Sequence, residues 1–153
     1  GFDQFLLCGP ESMIAEVSRT LRGHGVLQEQ ISYELFYRNA QDAATVIKKH
    51  HARALRHAGR MCKVSVVIDA RTTTFELGAD GSNLLDAALA QGLEVPFSCK
   101  AGMCATCKGR LITGEVDMDL NHALSPAAMS DGYILTCQAH PVSDTVTIDF
   151  DQA

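Results

Sequence analysis

Four cysteines carry the most specific chemical signal in this chain. Cys99, Cys104 and Cys107 stand in a C-x4-C-x2-C run, and Cys137 follows after 29 intervening residues. Four thiolates at this spacing suit a [2Fe–2S] cluster. With four thiolates, two ferric ions and two sulfides, such a cluster is formally dianionic when oxidised and more negative when reduced. A tight loop answers that charge by turning backbone N–H groups inward. Small residues permit the close approach, and Ala101, Gly102, Ala105 and Thr106 supply them. Gly102 can also take a positive φ without penalty.

Other uses of the cysteines fit less well. A four-cysteine zinc site usually presents two C-x2-C pairs, whereas only Cys104 and Cys107 are so spaced. Zinc therefore stays as the alternative, in the form of a metal-stabilised interaction module with no redox role. A thioredoxin-like pair needs its C-x-x-C at a helix start in a βαβ context, which this stretch lacks. Cys8 and Cys62 fall outside the pattern. No secretory signal is visible, so a disulfide framework is the weaker account of the six cysteines.

The elements that must position these thiols belong to the last of three segments, residues 63–153. From Lys63, Val64, Val66 and Ile68 alternate, and Thr73, Phe75 and Leu77 alternate after a four-residue turn, which predicts a hairpin. Ser82 is an N-cap for a helix through Leu84, Leu85, Ala88 and Leu89, with Gly92 as its stop. Short strands are expected at Arg110–Thr113, at Glu115-Val116, over Tyr133–Gln138 (bearing Cys137), and where Val146, Ile148 and Phe150 alternate. Ser125-Pro126 opens a brief helix. The class is α+β, with residues 63–153 as one small domain.

Residues 1–37 read strand–helix–strand: Phe5-Leu6-Leu7-Cys8, a break at Gly9-Pro10, Met13, Val17 and Leu21 at helical spacing, then Ile31–Phe36. The first strand has the apolar look of an interior parallel strand, which needs neighbours on both edges. Residues 38–62 are poor in large apolar side chains and rich in Lys, Arg and His. They read as a basic linker, with a surface helix as the other choice. Their histidines, His50, His51 and His57, find no carboxylate at ligand spacing nearby, so a metal cluster there is disfavoured.

Composition narrows the setting. The chain has 153 residues, is 46% hydrophobic and 20% charged, and carries a net −5. These are values of a globular protein, and no apolar run reaches bilayer length. Residues 1–62 hold 8 Lys and Arg against 6 Asp and Glu, while residues 63–153 hold 5 against 12, a net −7. The acidic part disfavours nucleic acid and, beyond simple solubility, could steer the domain toward a basic partner. A cytoplasmic location is expected, with no membrane partner.

Pro96-Phe97-Ser98-Cys99-Lys100-Ala101-Gly102-Met103-Cys104-Ala105-Thr106-Cys107, with Ser82–Leu89 before it and Thr136-Cys137-Gln138-Ala139 after it, closely resembles plant-type ferredoxins over residues 63–151. The resemblance implies a β-grasp fold, and Cys99, Cys104, Cys107 and Cys137 as ligands of one [2Fe–2S] cluster that moves single electrons. The run Gly132–Ala139 is more similar still to ferredoxin domains fused to reductases. Cys8-Gly9-Pro10-Glu11-Ser12-Met13, with Tyr33-Glu34-Leu35-Phe36 after it, resembles the last strand–helix–strand of the nicotinamide-binding domain of ferredoxin–NAD(P)H reductases. That implies Cys8, Gly9, Pro10 and Met13 on the nucleotide side and Phe36 beside a flavin. Reductase first and ferredoxin last is the order of the reductase components of bacterial oxygenases and epoxidases, nearest to the phenylacetyl-CoA epoxidase type.

By that likeness the intact enzyme would use FAD and NAD(P)H, neither of them expected bound to this chain. A flavin domain outside it would donate electrons, and an oxygenase or epoxidase component would accept them. The Gly-rich first half of the nucleotide domain has no counterpart in the chain, so hydride acceptance is not expected of this stretch. Residues 1–37 are expected to pair with the same segment of a second copy, to lie against the ferredoxin part, or to be mobile in solution. A free-standing electron carrier is the other redox reading.

Overall fold

The computed structural model of the chain describes residues 4–9, 11–27, 30–35 and 40–153. They form two compact units, divided between Arg38 and Asn39.

In the first unit, β1 (Phe5–Gly9) and β2 (Ile31–Leu35) pair in parallel, Phe5 opposite Ile31 and Gly9 opposite Leu35, with α1 (Glu11–Gly23) between them. The helix ends as expected near its glycines: Gly25 has φ +87°, and Val26 N–H reaches back to the Leu21 carbonyl. The buried face of α1 differs from the expected stripe. Ile14 and Ser18 are buried, Val17 and Leu21 are half-covered, and Met13 is exposed. β1 and β2 are the strands of this sheet among the described residues, and Leu6 is 80% exposed. Pro10 and Phe36 lie outside the described residues.

The second unit is built on a mixed five-stranded sheet. Its strands are β3 (Met61–Ile68), β4 (Arg71–Gly78), β5 (Lys108–Thr113), β7 (Tyr133–Leu135) and β9 (Thr145–Asp149), in spatial order β4-β3-β9-β5-β7. β3 and β9 run parallel while the other neighbours are antiparallel, and α3 (Leu84–Ala90) packs on the sheet. This is the β-grasp arrangement. Val64, Val66, Phe75, Leu77, Leu84, Leu85, Val146 and Ile148 form its core. A smaller sheet pairs β6 (Val116–Met118) with β8 (Ala139–Pro141), and the short α4 (Pro126–Ser130) is capped by Ser125.

Local chemistry revises several boundaries. The β3–β4 turn is Asp69-Ala70 alone, both at positive φ, and the Asp151 carboxylate accepts from both of their N–H groups at 2.8 Å. Asn83, not Ser82, caps α3, its side chain accepting from the Asp86 N–H at 2.8 Å. The strand expected over Tyr133–Gln138 stops at Leu135, so Cys137 lies in the turn between β7 and β8.

The larger revision concerns the stretch expected to be a basic linker. Ala40–His57 forms helix α2, which belongs to the second unit. It is held mainly by ions. Arg53, 4% exposed, donates to Asp117 and Asp119 at 2.5 Å each. Lys49 pairs with Asp117 and donates to the Met118 carbonyl, and His122 meets Asp42 at 2.9 Å. Asp119 also meets His50 at 3.0 Å and the buried His140 at 3.1 Å. The thin apolar stripe that argued against a packed helix is real. Val46 is its one buried apolar residue, and the polar side chains on the same face do the packing. The charge balance shifts with it: residues 39–153 carry 10 Lys and Arg against 13 Asp and Glu, a net −3 in place of the −7 that residues 63–153 would carry alone.

Burial pushes the Asp119 carboxyl up, but the hydrogen bonds and charges of His140 and Arg53 outweigh it and hold it at about 2, below the ordinary 3.8. A carboxyl depressed in the folded state adds stability in full above about pH 4 and loses it as pH falls toward 2. Denaturant unfolding between pH 5 and pH 2 should therefore show a steeper loss in the wild type than in Asp119→Asn. Parallel curves would mean that the ion cluster contributes nothing pH-dependent.

Candidate iron–sulfur centre

Residues 99–107 form an irregular loop between α3 and β5, and its conformation has local causes. Lys100, Gly102 and Ala105 all have positive φ, at 52°, 73° and 54°. For the two residues with a Cβ this costs about 1–2 kcal/mol each, so other contacts must hold them. The Lys100 ammonium pairs with Asp86 at 2.7 Å and lies over the Phe97 ring, 4.9 Å from its centre. The Gln138 side chain donates to the Lys100 carbonyl at 3.0 Å. After Ala105, Lys108 N–H closes a turn onto the Ala105 carbonyl at 3.0 Å. Gly102 is required on two counts. Besides its φ, a Cβ there would lie 3.1 Å from the Leu120 carbonyl oxygen and 3.2 Å from Gln138 Cγ.

The turn that carries Cys137 is tied directly to this loop. Thr136 donates to the Cys107 carbonyl from its N–H at 3.2 Å and from its hydroxyl at 2.8 Å. The thiols also act on one another, Cys99 on Cys104 and Cys137 on Cys107. Cys104 is exposed, and hydrogen bonds from the Thr106 side chain, opposed by desolvation and aided by Cys99, lower it to about 6. Cys107 is buried and is lowered to about 7, chiefly because the Cys137 thiol donates to it. The same contact pushes Cys137 well up, since one proton serves the pair.

Backbone amides reach these sulfurs as well. Ala101 N–H lies 3.3 Å from Cys99 Sγ, and Gly102 and Thr106 amides act on Cys137 and Cys104. Four thiols on one loop and the turn tied to it, with backbone N–H groups turned to the sulfurs and small residues between them, are what a cluster of two irons and two sulfides needs. Cys62 is fully buried in the sheet core, where desolvation raises its thiol, and Cys8 is exposed in the other unit. Among the residues singled out in the first unit, Gly9 is buried while Met13 and Cys8 are exposed. Composition and motif alone gave no notice of Gln138, Thr136, Asp86 or Lys100 as loop supports. The spacing of Asn83 and Asp86 was a capping signal that could have drawn attention to that corner.

Fold and site together define a β-grasp iron–sulfur domain. The chain belongs to the 2Fe-2S iron-sulfur cluster binding domain family, whose model matches residues 66–142. It is similar to a component of the 1,2-phenylacetyl-CoA epoxidase of Escherichia coli strain K12, 36% identical over 150 residues that make up 98% of this chain and 40% of the relative. It is also similar to the ferredoxin reductase component of a 3-ketosteroid-9-alpha-monooxygenase of Mycolicibacterium smegmatis, 35% identical over 149 residues, 95% of this chain and 40% of that one. The chain thus spans about two fifths of the length of these relatives. Among solved structures, phthalate dioxygenase reductase aligns over 96% of this chain and 40% of its own, with TM-score 0.52 and 23% identity, a likeness of fold. No helix among the described residues is long and apolar enough to cross a membrane.

Gly102→Ala should cost about 1–2 kcal/mol from the left-handed backbone alone, and its Cβ would press on Leu120 and Gln138. The cluster should accordingly be lost faster on warming, as read by bleaching of visible absorbance. A substitution that left both melting and bleaching unchanged would show that the loop does not need its present shape.

Proposed function

We propose that Cys99, Cys104, Cys107 and Cys137 ligate the [2Fe–2S] cluster, and that the domain carries single electrons within a longer NAD(P)H-dependent flavoprotein reductase. The observation that supports this most is that the loop bearing three of the thiols and the turn bearing the fourth are tied together by the double donation from Thr136 to the Cys107 carbonyl. When bound, the cluster supplies a site that accepts and releases one electron at a time.

The chain's own residues do the holding. Three sulfurs come from a loop fixed by Asp86, Lys100 and Gln138, and the fourth from a turn fixed by Thr136. Cys107 and Cys137 are buried, which keeps water from that side, while exposed Cys104 and the neighbouring Phe97 and Met103, 44% and 49% exposed, mark the side open to a partner.

In the same reading, residues 1–37 are the end of the nucleotide-binding domain. Cys8, Gly9, Pro10 and Met13 lie on the nucleotide side and Phe36 by the flavin, and FAD and NAD(P)H are bound by the longer protein. The similarity to an epoxidase component and to an oxygenase's ferredoxin reductase, over nearly the whole of this chain, supports that architecture. An upstream flavin domain is then the electron donor. The acceptor is an oxygenase or epoxidase component, with a phenylacetyl-CoA ring epoxidase as the first candidate and phenylacetate degradation as the setting. A cytoplasmic location goes with it, since thiolate ligands must stay reduced before assembly. The exposed Leu6 and Leu27 of the first unit, 80% and 59% exposed, favour its burial against another surface, whether a second copy or the rest of the reductase.

The test is spectroscopic. Anaerobically purified protein should be red-brown, hold two irons and two sulfides, and give a rhombic paramagnetic signal on reduction near roughly −400 mV, the region of plant-type clusters. Serine at any of Cys99, Cys104, Cys107 or Cys137 should destabilise or abolish the colour, while Cys8→Ser and Cys62→Ser should keep it. Colourless protein with stoichiometric zinc, or a Cys62→Ser variant as bleached as Cys104→Ser, would overturn the assignment.

A further inference from the structure

The histidine-rich stretch 50–57 lacks a carboxylate of its own at ligand spacing, but the fold brings one to it. His50 of α2 and His140 of β8 both turn Nε2 to the same oxygen, Oδ2 of Asp119, at 3.0 and 3.1 Å. One potential ligand atom from each of the three residues lies within 4.8 Å of the other two. We propose that His50, His140 and Asp119 form a second metal site, apart from the four cysteines, that takes a divalent ion of the zinc class and ties α2 to the β6–β8 face.

Size, ligand type and charge support it. Zinc bonds to nitrogen and oxygen of about 2.0–2.1 Å in a tetrahedron imply edges of roughly 3.3 Å between ligands. Two of the three edges are already close to that length, and only the separation of the two rings has to adjust. The His50 side chain is 55% exposed and can make that adjustment, whereas those of His140 and Asp119, 4% and 7% exposed, are fixed. The exposed side also leaves a fourth position for water. Two imidazoles and a carboxylate suit zinc better than calcium or magnesium, which prefer oxygen throughout.

The surroundings prepare the carboxylate. Arg53 holds Oδ1 of Asp119 at 2.5 Å, leaving Oδ2 as a single oriented ligand atom, in the way outer hydrogen bonds orient metal ligands. The charges facing the site are Arg53 and Lys49 from α2 and Asp117 and Asp119 from the β6 side. They cancel, so an incoming cation meets no net positive field. His140 Nδ1 is buried without a hydrogen-bond partner among the described residues, and none of them competes to turn the ring. When the metal takes Nε2, the ring proton moves to Nδ1, where it has no acceptor among the described residues. That cost sets the affinity below that of a fully supported site.

The test uses the full chain with its cluster assembled and Zn2+ alone as probe, followed by calorimetry, metal analysis and visible absorbance together. One zinc per chain should bind beyond the iron content with the absorbance unchanged. His50→Gln, at an exposed position that spares the fold, should weaken binding at least tenfold, and Lys48→Gln on the same helix should leave it as in the wild type. Zinc should also raise the melting temperature of the wild type and of Lys48→Gln but not of His50→Gln. Three results would overturn the proposal: no zinc uptake, equal uptake by wild type and His50→Gln, or uptake that bleaches the protein and so places zinc on the cysteines.

Discussion

The pairing of β5 with β7 is the constraint on which the centre depends. Lys108 lies opposite Leu135 and Gly109 opposite Ile134, so the residue before β5 and the turn after β7 arrive side by side. Those positions are Cys107 and Cys137. Without that register the chain would have to close a loop of 29 residues by other means to bring its fourth thiol to the first three. The double donation from Thr136 to the Cys107 carbonyl fastens the pairing where it ends. Gly109 lets β5 lie close to its other neighbour, because a Cβ there would come within 2.8 Å of Ile148 Cγ2 on β9. A slip by one residue would turn every side chain of β5 to the opposite face. The register is thus specified by the core and used by the site.

Around that fixed point the loop stores local strain. Lys100 and Ala105 accept a left-handed backbone that their side chains disfavour, and the energy is offset by contacts from outside the loop: Asp86 on α3, Gln138 beyond Cys137, and the His122 N–H on the Gly102 carbonyl. Strain held by several independent contacts is a common way of presenting groups in a geometry the chain would not choose. It also couples the centre to the β6–β8 side of the domain. Asp119 N–H donates to the Gln138 carbonyl, and His122 N–H donates to that of Gly102.

How far the sequence could be read follows from where its information lies. The cysteine spacing is local and chemical, and the alternation of Val64, Val66, Phe75, Leu77, Val146 and Ile148 is periodic, so ligand candidates, hairpin and core were all legible. Boundaries were less so where two residues compete for one role. Ser82 and Asn83 are both good caps, and only the backbone decides that Asn83 faces the Asp86 amide. Cys137 was legible as a thiol but not as a turn residue, since Tyr133–Gln138 has the composition of a longer strand. Helix α2 reads as a linker for a different reason. Its partners, Asp117 and Asp119, lie more than sixty residues away and leave no periodic trace within the helix itself.

That last case shows what selects the docked face of α2. Hydropathy would turn Ile47 and Leu55 inward, yet they are 61% and 73% exposed while Arg53 is 4% exposed. An apolar stripe tolerates rotation by a residue or so, because burial is non-directional. Arg53 cannot rotate away without leaving Asp119 as a buried, unpaired charge, which is far more costly than misplacing a methyl group. Buried ion pairs add little net stability when compared with well-packed apolar residues, but they penalise wrong arrangements heavily. An 18-residue helix with one buried apolar side chain is therefore placed by exclusion. Of the ways it could lie on the acidic β6–β8 face, those that strand Asp119 are removed, and the one that satisfies Lys49, His50 and Arg53 together remains.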